Sequence, residues 1–477
     1  MKKIIPIIIV SVFCVVVGLF ISRIDIVQNI DNLIVDANIR YFSPETKASD
    51  KIVIIFLDET TMKDLPYRSP VPRDFLFKLN EKILAAGRAV GYDIFFKDPT
   101  IPSFDEKLAT SFKKGPVFAV SAGKFDDAGK EFEDLPMDLF LNSLKGTGLA
   151  DLPFSSSDST VRFAKFDFDY NGNIHHSFVA KLYNATTGGN ALANLHDPTR
   201  ALSKYGIKYL PYFVADAKGS ENTRIRFVGP PSKIGNDDNL FKIFPASIVA
   251  NGLIPSDWLK DKIVLVGAAY EDGTDAYITP YYSARYKYER MPGVEIHANI
   301  LNQLLTKQFY YEIPQYAMII GFIFLGLIGG LFFLYGPMWR GIIGIIFLTL
   351  LMTVKIVLAF NFYGIVLPFI PFEGSILIAF GVSLGYRSIT EGKQKRFIKG
   401  VFAKYVPPAV VDKMIANPKL LTLGGELREI TSVFTDIASF TTISEKLDPK
   451  TLVSFLNEYL DALTRVIFKY GGTLDKY

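Results

Sequence analysis

Cysteine is almost absent from this chain of 477 residues: Cys14 stands alone, inside the first apolar run. A single thiol closes no disulfide within the chain, and the cysteine-rich zinc sites are excluded with it. Surplus charge is missing too. Lysine and arginine (52) nearly balance aspartate and glutamate (48), leaving +4, so no global field points to nucleic acid. No internal repeat and no low-complexity segment appears. What is abundant is apolar surface. Hydrophobic residues make up 49% of the chain and mean hydropathy is +0.24, high for a soluble protein, so membrane spans have to be sought first. Length alone suggests two or three domains.

Residues 4–22 follow Lys2 and Lys3 and are long enough to cross a bilayer. The rival reading is a cleaved leader. No small-x-small cleavage site follows, since LFISRID is bulky and then charged, so residues 1–22 are expected to form a signal-anchor helix. Three more apolar runs occupy 315–386. Their first connection, GPMWRG, carries Arg340; the second, NFYG, carries no Lys or Arg; Arg387, Lys393, Lys395, Arg396 and Lys399 follow the third. The positive-inside rule then puts residues 23–314 outside and 387–477 in the cytoplasm, in a multi-pass plasma (inner) membrane protein. Lys355 and Glu373 lie within the runs, where they are expected either to pair or to snorkel separately. The basic linker, 387–422, is broken at Pro407–Pro408 and suits anionic lipid headgroups.

Residues 23–314 have the composition of a soluble α/β domain. KIVIIFLDE (51–59), RAVGYDIFF (88–96), GPVFAVSAG (115–123) and KIVLVGAAY (262–270) read as strands. DFLFKLNEKILAAG (74–87), DEKLATSFKK (105–114) and VEIHANILNQLL (294–305) read as helices. Such alternation predicts crossover units and a largely parallel sheet. Three possible sites here are discounted. His175 and His176, as neighbours on a strand, face opposite ways. FDFDYNGN, with Asp167, Asp169 and Asn171, echoes a calcium loop but lacks its terminal Glu, so a polar hairpin is expected. His297, on an otherwise apolar helix, is expected in the core.

The strand ending in Asp58 and Glu59, GYDIFF followed by Asp105 and Leu108, GTGLADL before Asp158 and Arg162, and KIVLVGAAYEDGTDAYITPY with MPGVEIHANILNQLL together resemble the second type of CHASE extracellular sensor domain. The resemblance covers essentially all of 23–314. It implies a sensory input with an unknown extracellular ligand.

The last stretch, 423–477, opens on a charged lead-in (Glu426, Arg428, Glu429) and runs into ITSVF, β-branched and aromatic, which reads as a buried strand. Asp436 sits where that strand should stop, with a helical pattern opening after Pro449. A carboxylate there can hold a hard cation, and the following backbone N–H groups can cradle phosphate. The plainer alternative is a turn aspartate. LGGELREITSVFTDIASFT, the helix around VSFLNEYLDALTRVIFKYGG, and TLDKY resemble the opening of a class III nucleotide cyclase domain.

That resemblance implies an α+β, ferredoxin-like catalytic domain working as a homodimer with two Mg2+ (or Mn2+) ions per site. The family's first metal aspartate falls on Asp436 and its carbonyl contact on Ile437. Phe440 and Thr441 fall where the turn meets the triphosphate, and Lys476 where adenylate cyclases carry a purine-selecting lysine. Ser439 stands where glycine is commonest. The implied reaction is ATP to cyclic AMP and pyrophosphate, a phosphorus–oxygen lyase. The sequence stops at Tyr477, before the second metal aspartate and the transition-state Asn and Arg, so the chain as it stands is expected to be inactive. Two alternatives remain open: a receptor with a vestigial catalytic half, and a modulatory subunit docking on a complete cyclase. GGEL (424–427) also suggests the GGDEF-type motif of diguanylate cyclases, but it precedes the Asp436 strand instead of following the metal-binding elements, and that reading is rejected.

Overall fold

The computed structural model describes residues 4–43, 46, 48–127, 129–170, 172–189, 222–270, 275–335, 337–402, 427 and 429–477. Helices α1 (Ile4–Ile21) and α2 (Asp25–Tyr41) lead into β1 (Ile52–Asp58), α3 (Arg73–Leu84), β2 (Ala89–Asp93), α4 (Pro102–Phe112), β3 (Val117–Phe125), β4 (Glu131–Asp134) and β5 (Gly146–Leu149). The hairpin of β6 (Asp167–Tyr170) and β7 (Asn173–His176) precedes α5 (Phe178–Thr187). Then come β8 (Lys242–Pro245), α6 (Ala246–Ala250), β9 (Ile263–Ala269) and α7 (Gly293–Thr306).

All seven residues of β1 are buried. Side chains alternate along a strand, so Ile52, Ile54 and Phe56 enter one core while Val53, Ile55 and Leu57 enter the other. A strand apolar on both faces belongs inside a sheet covered on both sides. The sheet order is β8-β1-β9-β2-β3-β4, with β5 also paired to β3. Every pairing is parallel except β3 with β4. Helices α5 and α7 pack on the first face; α3, α4 and α6 pack on the second. The α/β reading holds, and the strands and helices expected within residues 51–305 are all present.

Among the described residues, four helices are long and apolar enough to cross a membrane: α1, α8 (Gln315–Leu334), α9 (Met338–Tyr363) and the first part of α10 (Phe369–Phe402), through Thr390. Val10, Cys14, Phe333, Leu334, Leu348, Ile376 and Ala379 form their shared core. Cys14 donates to the Ser375 carbonyl at 3.4 Å. Gly326 is required by proximity, since a Cβ there would lie 2.5 Å from the Ser11 Cα. Glu373 accepts from Thr353 at 3.2 Å, and no ion pair with Lys355 forms. Thr353 and Lys355 are two positions apart on α9, hence on different faces; Thr353 meets α10 while Lys355 is exposed.

The α/β domain and the apolar helices are laced together at one end of the bundle. Asp31 on α2 accepts from the Ile370 amide at 2.8 Å, in the first turn of α10. Asn361, near the end of α9, donates to Asn38 (3.1 Å) and accepts from Ser43 (2.8 Å). The short strand β10 (Tyr311–Glu312) pairs in parallel with β11 (Ile365–Val366), and Tyr310 stacks on Phe360 with ring centroids 4.6 Å apart. Within the domain, Arg162 binds Asp36 of α2 (2.7 Å) and Asp158; the guanidinium holds the Asp158 carboxyl down at about 2.

In the C-terminal stretch the strand reading fails. Residues 431–437 form no strand, with Val433 78% and Phe434 92% exposed. A strand needs a neighbour to take its backbone groups, and no strand lies beside ITSVF among the described residues. The expected helix is present as α12 (Pro449–Lys469), capped by Asp448, which accepts from the amides of Lys450 and Thr451 at 3.1 Å each. A shorter helix, α11 (Phe440–Lys446), precedes it. Residues 403–426 and Arg428, including Pro407–Pro408 and most of GGEL, lie outside the described residues.

Two outcomes follow from these contacts. Arg162→Met strands the buried Asp36 carboxylate and should cost about 3–5 kcal/mol in thermal unfolding of the purified protein, whereas Arg465→Ala, which removes only the exposed Arg465–Asp461 pair, should leave the transition unmoved. Asp31→Ala should cost about 1 kcal/mol and speed amide exchange at Ile370 by a corresponding factor, without altering exchange in the β1–β9 core.

Candidate functional site

The turn after residues 431–437 brings four of the five candidate residues into one short span. Asp436 is exposed and, among the described residues, has no hydrogen-bond partner. Ile437 follows, and its carbonyl accepts from the Phe440 amide at 3.2 Å, closing the turn into α11. That bond leaves the carbonyl a second lone pair. Ser439 adopts φ +57°, a left-handed conformation that favours glycine. Thr441 lies in the first turn of α11 and accepts, through its carbonyl, from the Ser444 hydroxyl at 2.9 Å. Lys476 is apart from this cluster, on the tail after α12, where Tyr477 meets Thr464 at 2.7 Å. No hydrogen bond or ion pair joins Lys476 to Asp436.

As a metal site the donors fit in kind. A carboxylate and a carbonyl are hard oxygens, the type magnesium takes while keeping several waters. In number they are incomplete, since among the described residues no three His, Cys, Asp or Glu side chains gather to hold a metal.

The discounted sensor positions behave as expected. His175 and His176 turn to different carboxylates, Glu133 and Asp167, each at 2.6 Å. Asp169 accepts from the Gly172 amide at 2.7 Å, closing the β6–β7 hairpin; Asn171 is outside the described residues. His297 is buried in the core.

Sequence reasoning missed the carboxyl edge of the sheet. Asp93 ends β2 beside Gly267 of β9, where the first turn of α7 crosses so closely that a Cβ on Gly267 would lie 2.5 Å from the Val294 Cβ. Asp275 approaches from the segment before Ala276–Tyr277 and contacts Asp93 and the Tyr277 hydroxyl. His297 completes the group, its Nε2 3.9 Å from Asp93 Oδ1. Burial pushes both carboxyls up to about 7 and the imidazole down to about 4. The signal was present in GYDIFF and GTDAY, as acids just past apolar strands, but nothing local says that the two meet.

The CHASE2 domain family model matches residues 10–331. Adenylate cyclase 1 of Rhizobium meliloti (strain 1021) is 38% identical over 76 residues, 16% of this chain and 11% of that protein. Adenylate cyclase of Anabaena cylindrica is 29% identical over 83 residues, 17% of this chain and 15% of that protein. The matched stretches thus span a small fraction of either relative. No solved structure matches the chain.

Proposed function

This chain belongs to the CHASE2 domain family, and we propose that it serves a membrane-bound adenylate cyclase, joining an extracytoplasmic sensor to a class III catalytic domain that begins near residue 423. The observation that carries the reading is the similarity to two proteins named adenylate cyclase in a chain with a sensor-type domain and four helices able to span a membrane. The sensor faces outward and the C-terminal stretch inward, across the inner membrane, as the loop charges direct. Catalysis takes place in a homodimer on ATP.

In this reading Asp436 and the Ile437 carbonyl hold magnesium or manganese. When bound, the two ions lower the pKa of the attacking ribose hydroxyl and neutralise the departing pyrophosphate. The backbone from Ile437 to Thr441 directs amides at the triphosphate, with Phe440 opening the helix beneath it. Lys476 donates to the adenine ring and so selects the purine. The exposed edge at Val433 and Phe434 favours a second reading, in which this stretch docks on a complete cyclase domain and modulates it. Both readings leave ITSVF short of a strand partner that a cyclase domain supplies.

Topology is tested by labelling intact cells with an impermeant thiol reagent. Ser156→Cys, at an exposed sensor position, should react, and Ser432→Cys should react only after the membrane is opened. Reaction of the second variant in intact cells overturns the orientation. For catalysis, nucleotide turnover is measured on membranes carrying the chain extended through a complete cyclase domain. Asp436→Ala and Asp436→Asn should each remove turnover by about a hundredfold or more with folding intact, because an exposed carboxylate fills no core volume. Lys476→Glu should weaken ATP use and move preference toward GTP. Near-normal turnover in Asp436→Ala would make this residue an ordinary turn aspartate.

A further inference from the structure

Two carboxyls in contact, the Asp93 side chain enclosed and Asp275 half-buried, are an unusual thing to find at the edge of a stable sheet. The side chain of Asp93 is 7% exposed and that of His297 is 5% exposed. Among the described residues, Asp93 Oδ2 finds no donor and His297 Nδ1 meets no partner. The group beside Asp93 is the Asp275 carboxyl, which donates only when protonated. Asp275 is in turn pressed on the start of α7: its backbone carbonyl accepts from the Gly293 amide at 3.0 Å. A Cβ on Gly293 would lie 2.5 Å and 2.6 Å from the two carboxylate oxygens. Gly293 is therefore needed to admit the acid.

The other titratable groups around the pair do not balance it. On α7, His297 faces Asp93, while Glu295 turns away to the Ser232 amide (3.0 Å) and hydroxyl (2.7 Å). Tyr277 bonds Asp275 from the adjoining segment, and Asp151, after β5, acts on both Tyr277 and His297. On α5, the neighbour of His297 is an apolar ring, Phe178, with centroids 5.5 Å apart. Among the described residues no lysine or arginine pairs with either acid. Two carboxylates side by side, with no cation among the described residues to offset them, cannot both be ionised at low cost.

We propose that Asp93 and Asp275 share one proton, and that this proton is an input the sensor reads: bound, it docks the first turn of α7 on the sheet; lost, it releases that turn. The chemical class of ligand is the hydrogen ion of the extracytoplasmic medium. His297, whose Nε2 faces Asp93 from within α7, places the change on the helix that leads, through residues 307–310, to β10 and its pairing with β11 at the head of α10. Only the idea of a sensory domain is taken from the preceding reading; the proton pair stands or falls without any cyclase.

The direction of the effect follows from the carboxyls, which sit near 7 in the folded chain against 3.8 unperturbed. The docked state binds the extra proton between those values, so its stability falls as pH rises from about 4 to about 7 and is level above that. For one shared proton with those limits, opening of the α7 turn should increase about tenfold between pH 6 and pH 8.

The experiment uses the whole chain in lipid nanodiscs, with Glu295→Gln present throughout so that this second buried acid, itself pushed up to about 7, does not contribute. Infrared difference spectra should show a protonated carboxyl that titrates away near neutral pH. Asp93→Asn and Asp275→Asn, which imitate the protonated acid in shape and charge, should each remove that signal. Amide exchange over residues 293–297, corrected for its intrinsic pH dependence, should rise about tenfold from pH 6 to pH 8 in the parent and stay level in both Asn variants. A carboxyl signal that survives in both variants, or its absence in a parent whose exchange is level with pH, overturns the proposal. A chain that shows signal and exchange but turns over no nucleotide upholds it and counts against the cyclase reading alone.

Discussion

Burial of the central strands from both sides is the constraint on which the soluble domain depends. β1 and the first five residues of β9 present no face to water, so helices must lie above and below them, and parallel pairing requires each connection to cross from one sheet end to the other. The crossings leave polar residues at the carboxyl ends of the strands, where backbone direction changes and packing loosens. Asp58 illustrates the benign outcome. It accepts from the amides and hydroxyls of Thr60 and Thr61 and simply starts the next turn. Asp93, which ends β2 two strands away and is level with Phe56, meets another acid instead. Both acids end a strand; what differs is whether local backbone donors are in reach.

Elements whose character is set within ten residues were legible in the sequence. β1, β2 and β9 announced themselves as apolar runs, α4 and α7 by helical periodicity, and the four membrane helices by length. ITSVF carries the same β-branched signature as KIVIIF, yet one is exposed and the other central. Composition encodes a capacity to pair, and pairing needs a second segment. The acid pair was hidden for a related reason, because Asp93 and Asp275 are distant in sequence and joined only by the passage of α7 over β9. Glu373 shows a third kind of limit. Hydropathy gives the depth of a residue in the membrane, whereas the rotation of its helix decides whether it meets Thr353 or Lys355. Of the cyclase-like residues, the turn from Asp436 to Thr441 is a local structure and could be read; Lys476 is bound to it by no contact in the chain.

Charge is placed with economy in the sensor. Arg162 serves two carboxylates at once, Asp36 from α2 and Asp158 from its own loop, and so fastens the helix that follows the first membrane span to the body of the domain. Each of those carboxylates thereby has a cation beside it. The carboxyl edge is the reverse, with acids brought together and, among the described residues, no cation supplied. One part of the domain is thereby made firm and another left responsive.

The bond from Asp31 to the Ile370 amide decides what kind of movement α10 can carry. This helix is continuous over 34 residues, a stiff rod whose upper end is pinned to α2. Sliding lengthwise by one helical turn, about 5.4 Å, would tear a contact of 2.8 Å. Rotation about the pin, or a tilt away from it, leaves the contact whole. The geometry therefore favours torque over thrust: a disturbance at the rim would reach the far end of α10 as a change of facing, in the manner of a key turned in a lock.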